Sequence, residues 1–289
     1  MEKIAVLVDS SSNVTQSEQA ALNMYAVNAP ILVGERVYHE NVDWQTQTDF
    51  FKFQSQTQQP LTTSQVEIGA WLEKFAEIAA DGYTDVIVVT ISSGISGTFS
   101  TVESLSATVD SIHIHAWDSR IAAAGAGNQA RLAAYLAQSG AHLNHIFEQL
   151  TRLRDSTHVL FVVDDVKHLK RTGRISNSAA FLGTMMNIKP MLTFNPLGQI
   201  IAIDKVRQMK RAWVRIQQRF VEEIDNQDQI RISIIDANNP EIADEWAATM
   251  RQKYENFAIE RGPIGAFIGV HTGEKALGFI WALDWQKLI

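Results

Sequence analysis

Residues 86–100 read "VIVVTISSGISGTFS". Val86–Thr90 is a short β-branched run, the pattern of a parallel strand covered on both faces. The next residues change character: Ser92, Ser93, Gly94, Ser96, Gly97 and Thr98, with no lysine, cysteine or carboxylate among them. In open α/β sheets, ligands bind outside the carboxyl ends of the strands. The stretch therefore predicts a buried strand that ends in a hydroxyl-lined loop, its glycines letting backbone N–H groups approach a ligand closely.

The same grammar recurs. Ile4–Val8 reads as a strand and is followed by Ser10–Ser12. Ile112–Trp117 reads as a strand, with Asp118 or Ser119 capping an alanine-rich helix to Gln138. Helices are expected at Ser17–Tyr25, Ser64–Ala80, from about Thr98, and at Leu143–Arg154; short strands are expected at Ala29–Val33 and Arg36–Tyr38. Ser64 and Glu67 have capping-box spacing, and Trp71, Leu72, Phe75 and Ile78 form an apolar stripe. Thr62–Ser64 would then open a helix, where free N–H groups favour an anion. This alternation predicts a parallel three-layer α/β/α domain over residues 1–157.

A strand at His158–Val163 starts a different texture. "NPLGQ" is a turn joining strands Pro190–Phe194 and Ile200–Val206. Helix 208–224, strand 230–235, helix 240–256 and strands near 264–270 and 277–282 complete a mixed-sheet α/β domain over 158–289. The run "IGAFIGV" reads as a strand ending at His271, Thr272 and Gly273.

Composition narrows function. The 289 residues carry 25 Lys and Arg against 32 Asp and Glu, a net charge of −7, which argues against nucleic acid as a partner. The absence of cysteine removes disulfides and thiolate chemistry and fits a cytoplasmic location. The apolar run near the N-terminus is short for a signal sequence, and no stretch reaches the roughly 20 apolar residues of a membrane span.

Competing motifs are weak. "GAGNQA", 125–130, fits a dinucleotide pattern but does not follow a strand directly. Ser96, His271 and Asp118 could be imagined as the triad of a serine-dependent acyl-ester hydrolase, yet "SSGISGT" lacks the second glycine of the nucleophile elbow. His142 and His145 have no carboxylate or thiolate nearby to complete a metal set. Arg207, Arg211, Arg215 and Arg219 recur every fourth residue, as on a solvated helix face or a docking surface for an acidic partner.

Taken in order, "VDSSSNV", "TTSQ" (62–65), "SSGISGTFS" (92–100), "DSRIAAAGAG" (118–127), "LKRTGRIS" (169–176), "GTMMNIKPML" (183–192), "KVRQMKRA" (205–212) and "GVHTG" (269–273) carry a resemblance. The chain resembles the DegV-like family, fatty-acid-binding subunits of bacterial fatty acid kinase. The resemblance implies a two-domain cytoplasmic carrier, not itself an enzyme and without a cofactor. It would hold one long-chain fatty acid in an apolar tunnel between its domains, with only transient membrane contact. It would present the carboxylate to a separate kinase catalytic subunit, whose acyl phosphate product feeds phospholipid synthesis.

On this chain the resemblance implies Thr63, Ser96 and His271 as carboxylate ligands, supported by the loop residues Ser93, Gly94 and Gly97. It implies Arg174 and Arg207 as kinase contacts. Phe181, Met185, Met186 and Ile188, with Phe267, are the expected tunnel lining; methionine conforms to irregular shapes. Departures from the family pattern are Val66 after the TSQ residues, Glu274 and Lys275 beyond the HTG residues, and "VRQMKRA" where VRTRKKA-like sequence is usual.

Overall fold

The computed structural model describes residues 2–176, 188–224 and 229–289. Strands β1 (Ile4–Asp9), β2 (Met24–Val27), β6 (Asp85–Thr90) and β7 (His113–Asp118) form a four-stranded sheet in the order β2-β1-β6-β7. All three pairings are parallel. Alternation along these strands feeds two cores, as a period of two requires. Leu7, Val86 and Val88 pack with Trp71, Phe75 and Ile78 of helix α3 (Ile68–Ala80) and Val102 of α4 (Thr98–Ser106). Val6, Val8, Ile87 and Val89 pack instead with Ala130 and Ala133 of α5 (Ala123–Gln138) and Ile146 and Leu150 of α6 (Leu143–Asp155). The N-terminal part is thus the three-layer arrangement expected from the sequence.

The C-terminal part is a six-stranded mixed sheet, ordered β10-β9-β8-β13-β11-β12. Its strands are β8 (His158–Val162), β9 (Lys189–Phe194), β10 (Ile200–Val206), β11 (Ile230–Asp236), β12 (Ala258–Pro263) and β13 (Leu277–Leu283). Leu160, Val162, Ile232, Ile234 and Phe279 point to helices at Met209–Glu223 and Pro240–Lys253. There Trp213 and Trp246 stack with ring centroids 4.4 Å apart. Val159, Phe161, Ile235 and Ile280 point the other way, into the core shared with the N-terminal part. One sheet face therefore carries helices, and the other faces the loops of the parallel sheet.

A third sheet, β4-β3-β5, is antiparallel: β3 is Pro30–Val33, β4 Arg36–His39 and β5 Leu61–Thr63. It corrects one expectation. Thr62 and Thr63 belong to this sheet and do not open a helix. The Ser64 N–H donates to the Pro30 carbonyl at 3.1 Å, so α3 starts later, with Glu67 at its N-cap and no side-chain capping bond. Strand pairing outcompetes the capping-box spacing. Tyr25 likewise lies in β2, after a first helix, α1, of only Gln16–Ala21. Helix α2 (Gln47–Gln56) was not anticipated.

Two further corrections concern helix starts. The N-cap of α5 is Ala122 and lacks a side-chain bond, because Asp118 is committed to the neighbouring loop. The run "IGAFIGV" falls largely in the seven-residue helix α10 (Ala266–Thr272) and is not a strand; α7, α8 and α9 denote the helices Lys167–Arg171, Met209–Glu223 and Pro240–Lys253. All but one residue of α10 are buried. An element covered on every side shows no amphipathic period, so its apolar run cannot distinguish helix from strand.

Candidate functional site

The loops after β6 and β7 meet the open face of the mixed sheet and leave a cavity. The space open to the centre of a water molecule is about 120 Å³, roughly ten times the 10–15 Å³ that houses one water. Most of its wall is aliphatic or aromatic: Ile91, Ile95 and Ile121 from the loops, and Val159, Phe161 and Ile280 from the sheet. Its polar wall comprises Thr63, Ser64, Gln65, Ser96, Arg174, His271 and Thr272.

These polar groups are neighbours. Thr63 Oγ1 lies 2.8 Å from His271 Nε2. Arg171 donates to the Leu61 carbonyl, two residues from Thr63, at 2.6 Å. Arg174 donates through Nε to the Ile95 carbonyl at 3.4 Å and through Nη1 to the Thr172 carbonyl at 2.5 Å. The segment carrying Arg174 is pinned by the Ile175–Ile200 bridge. Ser96 Oγ sits 2.9 Å from Thr98 Oγ1 and accepts the Thr98 N–H at 3.3 Å.

His271 is only 9% exposed. Burial, then the positive charges of Arg174 and Arg171, then His168, push its pKa down to about 3. The imidazole is therefore neutral near pH 7, with a single N–H. Its Nδ1 is buried without a hydrogen-bond partner among the described residues. In the tautomer with Nε2 protonated, Nε2–H donates to Thr63 Oγ1 and the Thr63 hydroxyl hydrogen is free to point at an anion. The Ser96 hydroxyl and the Arg174 guanidinium supply further donors on the same wall. A carboxylate placed here would meet one fixed positive charge and several neutral donors at the end of an apolar space.

A family model described as an uncharacterised protein, DegV family, matches residues 3–284. The chain belongs to the DegV family. It is 31% identical to Protein DegV of Bacillus subtilis over 279 residues, 96% of this chain and 98% of that protein. It is also 31% identical to a DegV domain-containing protein of Halalkalibacterium halodurans, over 98% of this chain and all of that one. Its fold matches the crystal structure of B. subtilis DegV, described as a fatty acid binding protein. There the TM-score is 0.90 at 30% identity, covering 98% of this chain and 100% of that one. A fatty acid binding DegV family protein from Streptococcus agalactiae matches with a TM-score of 0.89 at 25% identity, over 98% and 99% of the two chains.

Within this DegV-family chain the residues singled out from sequence part into groups. Thr63, Ser96, Gly97, Phe267 and His271 line the cavity. Ser93 is exposed, and its hydroxyl and N–H are taken by Asp118 at 2.6 and 3.0 Å. Gly94 packs against the β9–β10 turn, where any Cβ would collide with the Gly198 carbonyl. Neither is part of the described cavity wall. The serines after β1 also turn inward: Ser11 Oγ donates to the Asp9 carboxylate and Ser12 Oγ to the Asp9 carbonyl. Arg174, for which the resemblance implies a kinase contact, has its side chain half-buried in the cavity wall. Ile188 is half-buried and outside the described wall, and Phe181, Met185 and Met186 lie outside the described residues.

The hydrolase triad is not assembled. Ser96 bonds Thr98, His271 bonds Thr63, and Asp118 bonds Ser93 and the Arg120 N–H. Gly125 and Gly127 lie inside α5, where Gly127 packs on the Ser12 carbonyl, so the dinucleotide pattern has no strand-to-helix turn. Contrary to the sequence expectation, carboxylates do lie beside His142 and His145, Glu2 at 3.8 Å from His142 and Glu148 at 3.7 Å from His145. All four side chains are exposed, and no group of three or more possible metal ligands forms among the described residues. Glu274 accepts from Asn238 at 2.6 Å and Lys275 is exposed; neither lines the described cavity. Arg207 is exposed in the bend before α8, so only Arg211, Arg215 and Arg219 share the helix, and Arg215 pairs with Asp204.

Sequence reading missed the wall contributed by β8 and β13. Its signal was present: Val159 and Phe161 alternate with Leu160 and Val162, which fill the opposite core. None of the helices among the described residues is long and apolar enough to cross a membrane.

Proposed function

We propose that this DegV-family protein binds one long-chain fatty acid, its tail in the cavity and its carboxylate against Thr63, Ser96 and His271. The observation that carries the reading is the Thr63–His271 pair: a buried, neutral, hydrogen-bonded imidazole in the polar wall of a mostly apolar cavity. B. subtilis DegV, a fatty acid binding protein, supports it through 30% identity and a matching fold over the whole chain.

The energetics separate the two ends of such a ligand. Each buried methylene contributes about 0.8 kcal/mol, so a tail of about fourteen gains on the order of 11 kcal/mol before the costs of association. Each head-group hydrogen bond contributes only about 0.5–1.5 kcal/mol, or up to about 3 to a charged group. The tail supplies affinity; the polar wall orients the carboxylate. Among the described residues Ser96 Oγ bonds Thr98 and no general base, so Ser96 is not set up as an activated nucleophile. Presenting the carboxylate to a separate fatty acid kinase in the cytoplasm, for acyl phosphate formation, is the role this arrangement suits. Arg207, exposed and apart from the cavity wall, is the proposed kinase contact.

Native mass spectrometry of the purified protein, with lipid extraction, tests the reading. The expected result is one fatty acid per chain. Delipidated protein that binds no fatty acid in the micromolar range overturns it.

A further inference from the structure

Helix α10 carries His271 but has no cap of its own, because its N-cap is Gly265 and makes no side-chain bond. The cap comes from far away in the chain. Glu40, just beyond β4, accepts the Phe267 N–H at 2.9 Å across 227 positions. Its carboxylate fills the space that a side chain on residue 265 would need. Glu40 is itself anchored by a backbone bridge to Trp44. Lower on the same helix, Gly269 abuts Phe50 and Phe51, where an added Cβ would stand 2.9 Å from each ring.

These two contacts divide the work of placing α10. Ring packing at Gly269 sets how closely the helix approaches α2, but contacts of that kind have little directionality. The Glu40 bond is directional and fixes the first turn along and around the helix axis, with a carboxylate at the favoured N-terminal end. His271 lies one turn and a little more below Phe267, so a shift of the first turn carries the imidazole with it. Its partner Thr63 stands on β5, which pairs with β3; β3 also pairs with β4, the strand that leads into Glu40. Glu40 thus ties His271 to the same small sheet that holds Thr63.

We propose that Glu40 is a positioning residue for the carboxylate site: through α10 it sets the stance of His271 against Thr63. The proposal rests on the fatty-acid reading above for its ligand, and on the α10 geometry alone for the placement of the imidazole. It assigns Glu40 to head-group recognition, with no contact to the tail.

Delipidated wild type, Glu40→Ala and Glu40→Gln are compared for binding of palmitate and of hexadecanol, which shares the tail and lacks the carboxylate. Imidazole nitrogen shifts of His271 are recorded without ligand. Glu40→Ala is expected to lower the palmitate-to-hexadecanol affinity ratio by about tenfold, the loss of one hydrogen bond to a charged group. Hexadecanol affinity stays within about twofold, and the His271 shifts move. Glu40→Gln keeps one acceptor and falls between. If Glu40→Ala fails to fold, Glu40→Gln carries the same comparison. An unchanged ratio with unchanged shifts overturns the proposal, and so does an equal weakening of both ligands, which marks general destabilisation. Wild type that binds neither ligand refutes the fatty-acid reading, and the His271 shifts then decide the positioning role on their own.

Discussion

Thr63 Oγ1 and His271 Nε2 stand 2.8 Å apart although 208 positions separate them in the chain. One belongs to the small antiparallel sheet of the N-terminal part, the other to a helix inserted between two strands of the mixed sheet. The site exists only where these two parts meet.

Thr63→Val keeps the shape of the side chain and removes the hydroxyl. Fatty acid affinity should fall by about 1–3 kcal/mol, because a donor to a charged group is lost. Thermal stability of the ligand-free protein should also fall, by about 1–3 kcal/mol, since His271 Nε2 is left buried without its partner. Calorimetric titration and thermal melts measure the two terms separately. Unchanged fatty acid affinity would remove Thr63 from the carboxylate site.

The depressed pKa of His271 has a signed consequence for stability. The unfolded imidazole takes a proton near pH 6.5, whereas the folded one resists until about pH 3. Between those values the unfolded chain binds more protons, so stability rises with pH, with a slope of up to about 1.4 kcal/mol per pH unit from this group. The contribution is complete above about pH 6.5 and is lost as pH falls toward 3. Burial raises Asp9 and Glu40 above the usual carboxylate range, and these act with the opposite sign. Comparing wild type with His271→Gln cancels both. The variant should show a flatter stability profile across this window; parallel profiles would refute the assignment.

How much of this was legible follows from where each signal is stored. Val86–Thr90 announces a buried parallel strand by its own composition, and the loop after it does reach the cavity through Ser96. Alternation along β8 separates two cores and could have revealed the wall at Val159 and Phe161. Other facts are stored in pairs of distant residues. Nothing near Gly265 states that Glu40 caps its helix, and nothing near Ser64 states that Pro30 will take its N–H. Local spacing therefore gave a strand at 264–270 and a capping box at Ser64, and both were overruled by partners far along the chain. The place of Arg174 in the cavity wall is hidden for the same reason: the Ile175–Ile200 bridge beside it joins segments 25 residues apart.

Gly94 and Gly69 form a contrasting pair. A Cβ at Gly94 would collide with backbone atoms of Leu197 and Gly198, which cannot yield as a flexible side chain can. Gly94→Ala should cost about 1–3 kcal/mol, the usual range for overpacking. At Gly69, in the first turn of α3, nothing lies within 4 Å of the added atom. Gly69→Ala should stabilise the protein by about 0.4–1 kcal/mol through the unfolded chain. Denaturant titration of both variants checks the pair; a neutral Gly94→Ala would mean that the β9–β10 turn does not seat on this loop.

Arg174 and Arg207 should respond differently to truncation. Arg174 lines the cavity and is one of the charges that keep His271 neutral. Arg174→Ala should weaken binding of a fatty acid more than binding of the matching alcohol, because the alcohol carries no charge for the guanidinium to meet. Arg207 is exposed and outside the described cavity wall. A rim charge mainly steers encounter, and its effect is screened by salt. If the proposed kinase contact holds, Arg207→Ala should leave fatty acid binding unchanged and slow acyl phosphate formation with a fatty acid kinase, the deficit shrinking as ionic strength rises. Binding and turnover measured on the same two variants decide the assignment. Lost fatty acid binding in Arg207→Ala would bring that residue into the ligand site. Normal binding with normal turnover would leave it as solvated surface and remove Arg207 from the proposed kinase contact.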